Sequence, residues 1–197
     1  RLLFQLALPV LVVGLPGAYG RGGSDPGITN DQILIGGTVP LSGDQVAYAA
    51  LARGADAYFK YVNSRGGVRG RQIRYLYVDD AYNPAETVRK TRELVQDEKV
   101  FAIFNSVGTE HVLAVRPYLN QVGVPQLFVG SGHSRLALER DRYPWSMGYL
   151  PRFAGEAALY GRYVARTRRK ARIAVLHEDS EYGQDMFAGL RRGLGKL

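Results

Sequence analysis

The residues best suited to chemistry in this chain are at 105–109, where the apolar run 100–104 gives way to hydroxyl-bearing residues and glycine. This pattern predicts a buried strand, a short loop and the start of a helix. Free backbone N–H groups at a helix start, together with the helix dipole and nearby hydroxyls, favour an anion. A carboxylate can be held there without a catalytic residue, so the stretch indicates binding rather than catalysis.

Groups that could support catalysis are sparse. His111, His133 and His177 lie far apart, and none has the spacing of a ligand pair, although His133 at a predicted strand end is the best placed of the three. Ser106 and Ser131 could be nucleophiles, but neither lies in a Gly-x-Ser-x-Gly motif. The glycine stretches also lack the Gly-Lys-Ser/Thr ending of a P-loop. We therefore predict that the protein is not an enzyme.

Two acidic clusters follow predicted strands. Asp79 with Asp80 forms one, and Glu178 with Asp179 and Glu181 forms the other. Carboxylates of this kind can hold Mg²⁺. Aspartate also caps helices and shapes turns, which is the role we favour here. We predict no metal site and no cofactor.

Short apolar runs alternate along the chain with longer amphipathic ones, and apolar residues recur at spacings of three and four in the longer runs. Asn83 and Pro84 form a strong helix start, because Asn can cap and Pro is favoured at the first helical position. The pattern predicts strands at 33–39, 73–78, 101–104, 126–129 and 172–176, a short apolar run at 145–149, and helices at 45–63, 83–96, 109–121, 153–166 and from 183 to the end.

Alternation of strands and helices predicts a parallel sheet that is covered by helices on both faces. Ligands of such sheets bind outside the carboxyl ends of the strands. The loops expected to matter are therefore 40–48, 79–83, 105–109, 130–134 and 177–182.

The composition is that of a folded protein, with 197 residues of which 46% are hydrophobic. The net charge of +8 comes from 26 basic and 18 acidic residues, and a basic protein can favour nucleic acid. The basic residues are spread along predicted helices, with one tight run at 166–172, so we predict solvated helix faces and no nucleic-acid partner. The chain has no Cys, which excludes disulfides and thiolate chemistry.

The first twenty residues differ from the rest. A basic residue is followed by an apolar stretch at 2–15 and by small residues near position 20, which is the pattern of a secretory signal peptide. The apolar stretch is shorter than a membrane-spanning helix requires, and Pro9 interrupts it. We predict a signal peptide at 1–20, a linker at 21–30, and a periplasmic or other extracytoplasmic location.

Several motifs occur together in a fixed order. They are Pro40-Leu41-Ser42-Gly43 after the first strand, the glycine turn at 66–71, Asp79-Asp80 with Asn83-Pro84, Ser106-Val107-Gly108-Thr109, Gly123-Val124-Pro125 and Tyr182-Gly183. In this order they resemble the periplasmic substrate-binding proteins of branched-chain amino acid ABC transporters, the Leu/Ile/Val-binding protein family, over residues 31–197. Residues 126–132 and 143–148 resemble the subgroup that includes binders of aromatic and other organic carboxylates.

The resemblance implies the α/β fold of type I periplasmic binding proteins, in which two lobes enclose the ligand. The first lobe would occupy 31–148 and be nearly complete. The crossover and the start of the second lobe would occupy 149–197, since family members are about twice as long. Because the cleft would then have only one complete wall, we expect residues 21–197 alone to bind ligand weakly or not at all.

The resemblance also implies the ligand-binding residues. Ser106 and Thr109 would hold the ligand carboxylate, and the facing loop would contribute its backbone and a hydroxyl. Two tyrosines would contact the rest of the ligand, although packing remains an alternative role for both, and Tyr149 is a weaker candidate. The full set is Ser106, Thr109, Gly132, Ser134, Tyr48 and Tyr182.

The function implied by the resemblance is that of the solute-binding component of an ABC importer. The ligand would be an amino acid of the branched-chain type or a small organic or aromatic carboxylate. The partners would be the permease subunits, which provide a transient contact at the membrane surface. Two alternatives stay open. One is a ligand-sensing receptor ectodomain of the same fold, and the other is an α/β-hydrolase-like enzyme that uses Ser106 or Ser131.

Overall fold

The computed structural model describes residues 25–195, so the predicted signal peptide and the first part of the predicted linker lie outside the described residues. The strands are β1 (Gln32–Val39), β2 (Gln72–Asp79), β3 (Ala102–Phe104), β4 (Gln126–Val129) and β5 (Ser146–Gly148). The helices are α1 (Ala49–Ser64), α2 (Pro84–Gln96), α3 (Thr109–Val122), α4 (Ser134–Leu138), α5 (Phe153–Thr167) and α6 (Glu181–Leu194), and a short 3₁₀ turn at Val46–Tyr48 precedes α1.

The five strands form one parallel sheet in the order β2-β1-β3-β4-β5. Each strand therefore returns to the sheet through a crossover, and all the carboxyl ends lie on the same edge. The predicted α/β class and the parallel sheet are confirmed. We call this part of the chain, residues 32–148, the sheet unit. Within residues 25–195, none of the helices combines the length and apolar character that a membrane crossing needs.

Two apolar layers cover the two faces of the sheet. Leu34 packs with Leu94 of α2 and Leu119 of α3 in one layer, whereas the next residue, Ile35, packs with Ala52 of α1 in the other. Successive side chains of a strand point to opposite faces, so β1 supplies both layers. Full burial of one such aliphatic side chain is worth about 1.5–3 kcal/mol. Helices on both faces are what the strand and helix alternation predicted.

The start of α2 matches its prediction. The side chain of Asn83 accepts from the N–H of Ala85 at 2.9 Å and from that of Glu86 at 3.4 Å, and Pro84 is the first helical residue. Asn83 therefore satisfies amides that have no partner within the helix.

The predicted strand at 172–176 is wrong. Residues 171–178 are assigned to no strand, and this segment pairs with no strand of the described chain. A strand is defined by hydrogen bonds to a neighbour, and the side chains here remain open to solvent, with Leu176 fully exposed. Apolar, β-branched sequence was therefore not sufficient to make a strand.

Helices α5 and α6 pack closely through small residues. A Cβ atom on Gly189 would lie 2.3 Å from the carbonyl oxygen of Ala154, and one on Gly193 would lie 2.3 Å from that of Ala158. The two glycines and two alanines are each four apart, so they form matching stripes along the two helices. We call α5 and α6 the helix pair.

Candidate functional site

A cleft of about 510 Å³ opens at the carboxyl edge of the sheet, between the sheet unit and the helix pair. The segments that follow all five strands contribute to its walls. The lining residues are Gln45, Tyr48, Leu51, Tyr82, Val107, Gly108, Thr109, Glu110, Gly130, Tyr149, Leu150, Phe153, Glu178 and Tyr182. Thr109, Tyr48 and Tyr182 of the predicted ligand-binding set therefore lie around one cavity, and so does Tyr149.

The amino end of α3 forms the floor of this cleft. The first helical hydrogen bond runs from the N–H of Val112 to the carbonyl of Gly108 at 3.0 Å, and no side chain caps the helix start. The N–H groups of Thr109, Glu110 and His111 have no acceptor within residues 25–195. Free amides at the positive end of a helix dipole favour a carboxylate.

Gly108 gives this helix start its shape. Its φ of 101° lies in a region that residues with a Cβ rarely adopt, and a Cβ there would come within 2.3 Å of Nδ1 of His111. The buried His111 ring packs against the ring of Tyr82, with 4.2 Å between ring centroids and planes inclined by 36°. The imidazole therefore packs under the loop and supports it from below.

The hydroxyls of Thr109 and Ser106, both predicted to hold the ligand carboxylate, make hydrogen bonds within the sheet unit. Oγ1 of Thr109 lies 2.9 Å from Oγ of Ser131, which joins the loops after β3 and β4. Oγ of Ser106 accepts from the N–H of Thr38 at 3.2 Å and from its hydroxyl at 2.9 Å. Ser106 is buried and is not among the described lining residues, so its side chain fastens β3 to β1 beneath the cleft.

Neither serine considered as a nucleophile has a catalytic partner among the side chains that the structure describes. Ser131 contacts Thr109 and accepts from the N–H of His133 at 3.2 Å, while Ser106 contacts Thr38. A nucleophile of this type requires a base within hydrogen-bond reach. The Ser131 hydroxyl instead connects the loops after β3 and β4, and the Ser106 hydroxyl connects the loop after β3 to strand β1.

Two stacked tyrosines form the wall on the sheet-unit side. The rings of Tyr48 and Tyr82 have centroids 5.8 Å apart and planes inclined by 20°. Tyr82 has a φ of 54°, and Ala81 before it has a φ of 48°, so this turn holds two residues in the left-handed region. Burial and then the charges around it, including those of Glu110 and Glu178, raise the pKa of Tyr82.

The opposite wall is also aromatic. Phe153, the first residue of α5, packs edge-on against Tyr182 near the start of α6, with ring centroids 5.0 Å apart. Tyr149 packs against Phe128 at 6.0 Å. Aromatic faces with polar tips on both sides suit a small ligand that has an apolar part.

Gly132 and Ser134, the other two residues predicted to bind the ligand, are not among the residues that line the cleft. The carbonyl of Gly132 accepts from the N–H of Phe153 at 2.8 Å, and a Cβ on this glycine would lie 2.3 Å from the carbonyl oxygen of Pro151. Ser134 donates to Asp185 of α6 through its N–H at 3.0 Å and its hydroxyl at 3.1 Å. In this structure both residues contact the crossover and the helix pair, and neither lines the cleft.

Glu110 and His133 also contact α6 from the sheet unit. Oε1 of Glu110 accepts from the N–H of Glu181 at 2.7 Å, which caps the start of α6. Nδ1 of His133 accepts from the N–H of Arg135 at 3.3 Å, and its Nε2 lies 3.3 Å from a carboxylate oxygen of Glu181. His133 therefore caps α4 and binds α6.

Asp79 and Asp80 shape the loops that carry Tyr48 and Tyr82. The Asp79 carboxylate accepts from the N–H of Leu41 at 2.7 Å, from the hydroxyl of Ser42 at 2.5 Å and from the N–H of Ala81 at 2.9 Å. The bond from Ser42 is the largest influence that lowers the pKa of Asp79. Buried Asp80 accepts from the N–H of Tyr82 at 3.1 Å and from the hydroxyl of Thr87 at 2.8 Å.

Some lining residues were not identified as ligand-binding from the sequence, notably Tyr82, Glu110, Phe153 and Glu178. A signal existed for Tyr82 and Glu178, because 79–83 and 177–182 were both expected to border the site. Glu110 was missed because an acidic residue in the first turn of a helix is common and favourable on its own. Phe153 begins the helix predicted at 153–166, where an aromatic residue resembles ordinary core sequence.

Comparisons with known proteins agree with this architecture. The family model for periplasmic binding proteins matches residues 32–197. A Leu/Ile/Val-binding protein homolog 2 from Brucella abortus is 27% identical over 172 residues, which cover 84% of this chain and 44% of that protein. The chain therefore spans less than half the length of the curated relatives that it matches.

Solved structures give the same result. A substrate-binding periplasmic protein from Ralstonia solanacearum is similar with a TM-score of 0.75 and 27% identity, over 83% of this chain and 46% of that one. A solute-binding protein of an ABC transporter from Rhodopseudomonas palustris, in complex with 3,4-dihydroxybenzoic acid, has a TM-score of 0.70 and 26% identity, over 83% and 44%.

The type I periplasmic-binding fold and the resemblance to the branched-chain amino acid type are thereby confirmed. The match includes the sheet unit and continues through the helix pair. The family model matches well over half of the residues of this chain. The chain therefore belongs to the periplasmic binding protein family.

Proposed function

We propose that this chain is the ligand-holding part of an extracytoplasmic solute-binding component of an ABC importer. Its ligand is an amino acid or a small organic or aromatic carboxylate, held in the cleft between the sheet unit and the helix pair. We assign the first lobe to 31–148, and the crossover with the start of the second lobe to 149–197. The family consists of substrate-binding proteins, which are not enzymes.

The observation that carries the proposal is the uncapped amino end of α3 at the floor of an aromatic cleft. The N–H groups of Thr109, Glu110 and His111 have no acceptor within residues 25–195. Thr109 and Glu110 line the cleft, and Tyr48 and Tyr182 flank it. Charge-assisted hydrogen bonds from such amides hold a carboxylate, and the aromatic walls bind the apolar remainder. The arrangement binds a ligand without the base that a covalent reaction would need.

Closure of the two lobes is the mechanism that follows from this arrangement. The ligand would contact α3 and Tyr48 on one side and Tyr182 and Phe153 on the other. A ligand that contacts both sides stabilises the closed state by its differential affinity for that state. The closed form would then be the one that the permease subunits recognise.

Calorimetric titration tests the proposal. The protein is expressed from the complete open reading frame that contains this chain, without its leader, and is titrated with leucine, isoleucine, phenylalanine and 3,4-dihydroxybenzoate. We expect at least one of these compounds to bind. Tyr48→Ala should weaken that binding by roughly fivefold or more, because truncation of a central aromatic contact typically costs more than about 1 kcal/mol.

Tyr58→Ala is the matched control, because Tyr58 lies on α1, is more exposed than Tyr48 and does not line the cleft. It should leave the affinity unchanged. The proposal fails if none of the compounds binds to the folded protein, or if the two tyrosine variants weaken binding equally.

A further inference from the structure

Positive charge is concentrated at the carboxyl end of α5 and in the turn that follows it. The stretch 162–172 contains six basic residues, whereas residues 157–177 contain no Asp or Glu. All six residues are exposed, and none takes part in an ion pair of the described chain. We call this group the basic end, and its members are Arg162, Arg166, Arg168, Arg169, Lys170 and Arg172.

The helix dipole does not account for the basic end. Cations are favoured in the last turn of a helix, and Arg166 is the basic residue of that turn in α5. The helix ends at Thr167, and the next cations lie in a turn that is closed by a hydrogen bond of 2.9 Å from the N–H of Ala171 to the carbonyl of Arg168. Like charges so close together repel one another, and an external anion would relieve this repulsion.

The basic end and the cleft lie at opposite ends of the helix pair. The glycines and alanines that join α5 and α6 pair in the same order along both helices, so the two helices are parallel. Both helices begin at the cleft, which Phe153 and Tyr182 line. The 15 residues of α5 span about 20 Å at a rise of about 1.5 Å per residue. A partner bound at the basic end can therefore leave the cleft uncovered.

Apolar and aromatic groups lie beside these cations on α5. Four exposed residues at spacings of three and four share one stripe of the helix surface, and they are Leu159, Arg162, Tyr163 and Arg166. Leu159 is 59% exposed and Tyr163 is 69% exposed. Arginine binds phosphate groups, and a tyrosine ring is favoured at the level of lipid headgroups. The stripe therefore combines the two kinds of side chain that suit a phospholipid surface.

We propose that the basic end is a docking surface for an anionic phospholipid bilayer. The six cations bind lipid phosphates, and Leu159 and Tyr163 enter the headgroup region beside them. The periplasmic binding protein family implies an extracytoplasmic location, where a membrane surface is present and chromosomal DNA is not. The contact is direct, it does not require the permease subunits, and it uses none of the residues that line the cleft. It therefore goes beyond solute binding and does not depend on the identity of the ligand.

Vesicle co-sedimentation tests the docking surface in the protein expressed from the complete open reading frame, without its leader. One set of vesicles consists of phosphatidylcholine, and the other contains equal parts of phosphatidylcholine and phosphatidylglycerol. We expect the protein to sediment with the anionic vesicles and to stay in solution with the neutral ones. Higher ionic strength should weaken the binding, because salt screens interactions between exposed charges.

Neutral variants identify the residues responsible. One double variant, Arg169→Gln with Lys170→Gln, removes charge from the turn, and a second, Arg162→Gln with Arg166→Gln, removes it from the stripe. Each should weaken binding to anionic vesicles roughly twentyfold, because one basic residue near an anionic membrane contributes about fivefold. Tyr163→Ser should also weaken binding although it leaves the charge unchanged, because the aromatic ring is lost from the headgroup region.

Arg53→Gln with Arg65→Gln is the matched control. It removes the same charge from two exposed residues of the sheet unit, one within α1 and one directly after it. Its binding to anionic vesicles should stay close to that of the unmodified protein. Because every substituted residue is exposed, the unfolding temperature should be the same for all variants. The two pairs in the basic end are independent, so a loss of folding in one leaves the other as the test.

Three results would overturn the docking surface. The first is equal sedimentation with neutral and anionic vesicles, or with neither. The second is an equal loss of binding in the control and in the variants of the basic end. The third is release of the protein from anionic vesicles by a double-stranded DNA oligonucleotide at the same phosphate concentration, which would assign the basic end to nucleic acid. None of these results affects the proposed function, which is measured by titration with ligand.

Discussion

The backbone N–H and the hydroxyl of Ser134 both donate to the same oxygen, Oδ2, of Asp185, at 3.0 and 3.1 Å. The two residues are 51 positions apart, Ser134 at the start of α4 and Asp185 within α6. Glu110 makes a second connection of this kind through the N–H of Glu181. The amino-terminal half of α6 is thus held against the sheet unit by hydrogen bonds to charged groups.

Asp185→Ala should destabilise the protein. The substitution removes the acceptor of two partly buried donors of Ser134, and loss of hydrogen bonds to a charged group costs about 1.5–3 kcal/mol. We expect the free energy of unfolding, measured by urea denaturation, to fall by about this amount. Asp185→Asn keeps one acceptor oxygen and should give a smaller decrease.

Asp141→Ala is the control for this measurement, because the Asp141 side chain is almost fully exposed and forms only a long surface ion pair with Arg140. Its free energy of unfolding should stay near that of the unmodified protein. Equal stability of the Asp185→Ala and Asp141→Ala variants would contradict a stabilising contact between Ser134 and Asp185.

Gly108→Ala should damage the start of α3. The new methyl group would meet the His111 ring at 2.3 Å, and alanine would have to adopt a φ of 101°. Together, strain and overpacking should lower the free energy of unfolding by about 1–3 kcal/mol. Ligand affinity should fall as well, because the amides of this turn would move. The measurements are urea denaturation and calorimetric titration.

Gly54→Ala is the matched control for Gly108→Ala, and this substitution should raise the free energy of unfolding. Gly54 lies inside α1, and a Cβ there meets nothing within 4 Å. Alanine should therefore stabilise the protein by about 0.5–1 kcal/mol, since glycine is unfavourable in a helix interior. If Gly108→Ala were as stable as Gly54→Ala and bound ligand normally, the geometry described for the α3 start would be incorrect.

Asp79 should make stability sensitive to acid. Its pKa is lowered in the folded protein, chiefly by the hydroxyl of Ser42, so the unfolded chain binds a proton more readily. The stabilisation is fully present above the unfolded pKa of about 4 and is lost as the pH falls through the lower folded value. Urea denaturation across this range should show a smaller acid-induced loss for Asp79→Asn than for the unmodified protein.

Asp141→Asn serves as the comparison for acid sensitivity, because it removes an exposed carboxyl that lacks the three donors around Asp79. Its acid-induced loss of stability should match that of the unmodified protein. An unchanged pH profile in Asp79→Asn would show that the β1–α1 loop does not depend on this carboxylate.

Local patterns were sufficient for most of the fold. The start of α2 was predictable because Asn83 caps amides only two and three residues further on, so no tertiary contact is involved. The strand predicted at 172–176 is absent, because a strand needs hydrogen bonds from a neighbour and sequence pattern does not show whether one is present. Helix α6 was expected from 183 and begins at Glu181, whose N–H donates to the distant Glu110, a contact that the local pattern does not show.

The cleft was predictable as a region and less so as a set of side chains. The loop 105–109 was expected to hold an anion, and its glycine, hydroxyls and following helix specify free amides at the end of a buried strand. The direction of each hydroxyl depends on the neighbouring strands. Ser106 faces Thr38 because β3 lies beside β1, and Ser134 faces Asp185 because α6 lies against α4.

The alternation of strands and helices, the edge of the sheet where a ligand binds, and the family can all be inferred from the sequence alone, because they follow from periodicity, capping residues and the order of short motifs. The identity of the polar groups that face the cleft cannot be inferred from the sequence alone, because it depends on which segments pack side by side in three dimensions. That packing gave Ser106, Gly132 and Ser134 contacts away from the cleft, and it placed Tyr82, Glu110 and Glu178 around it.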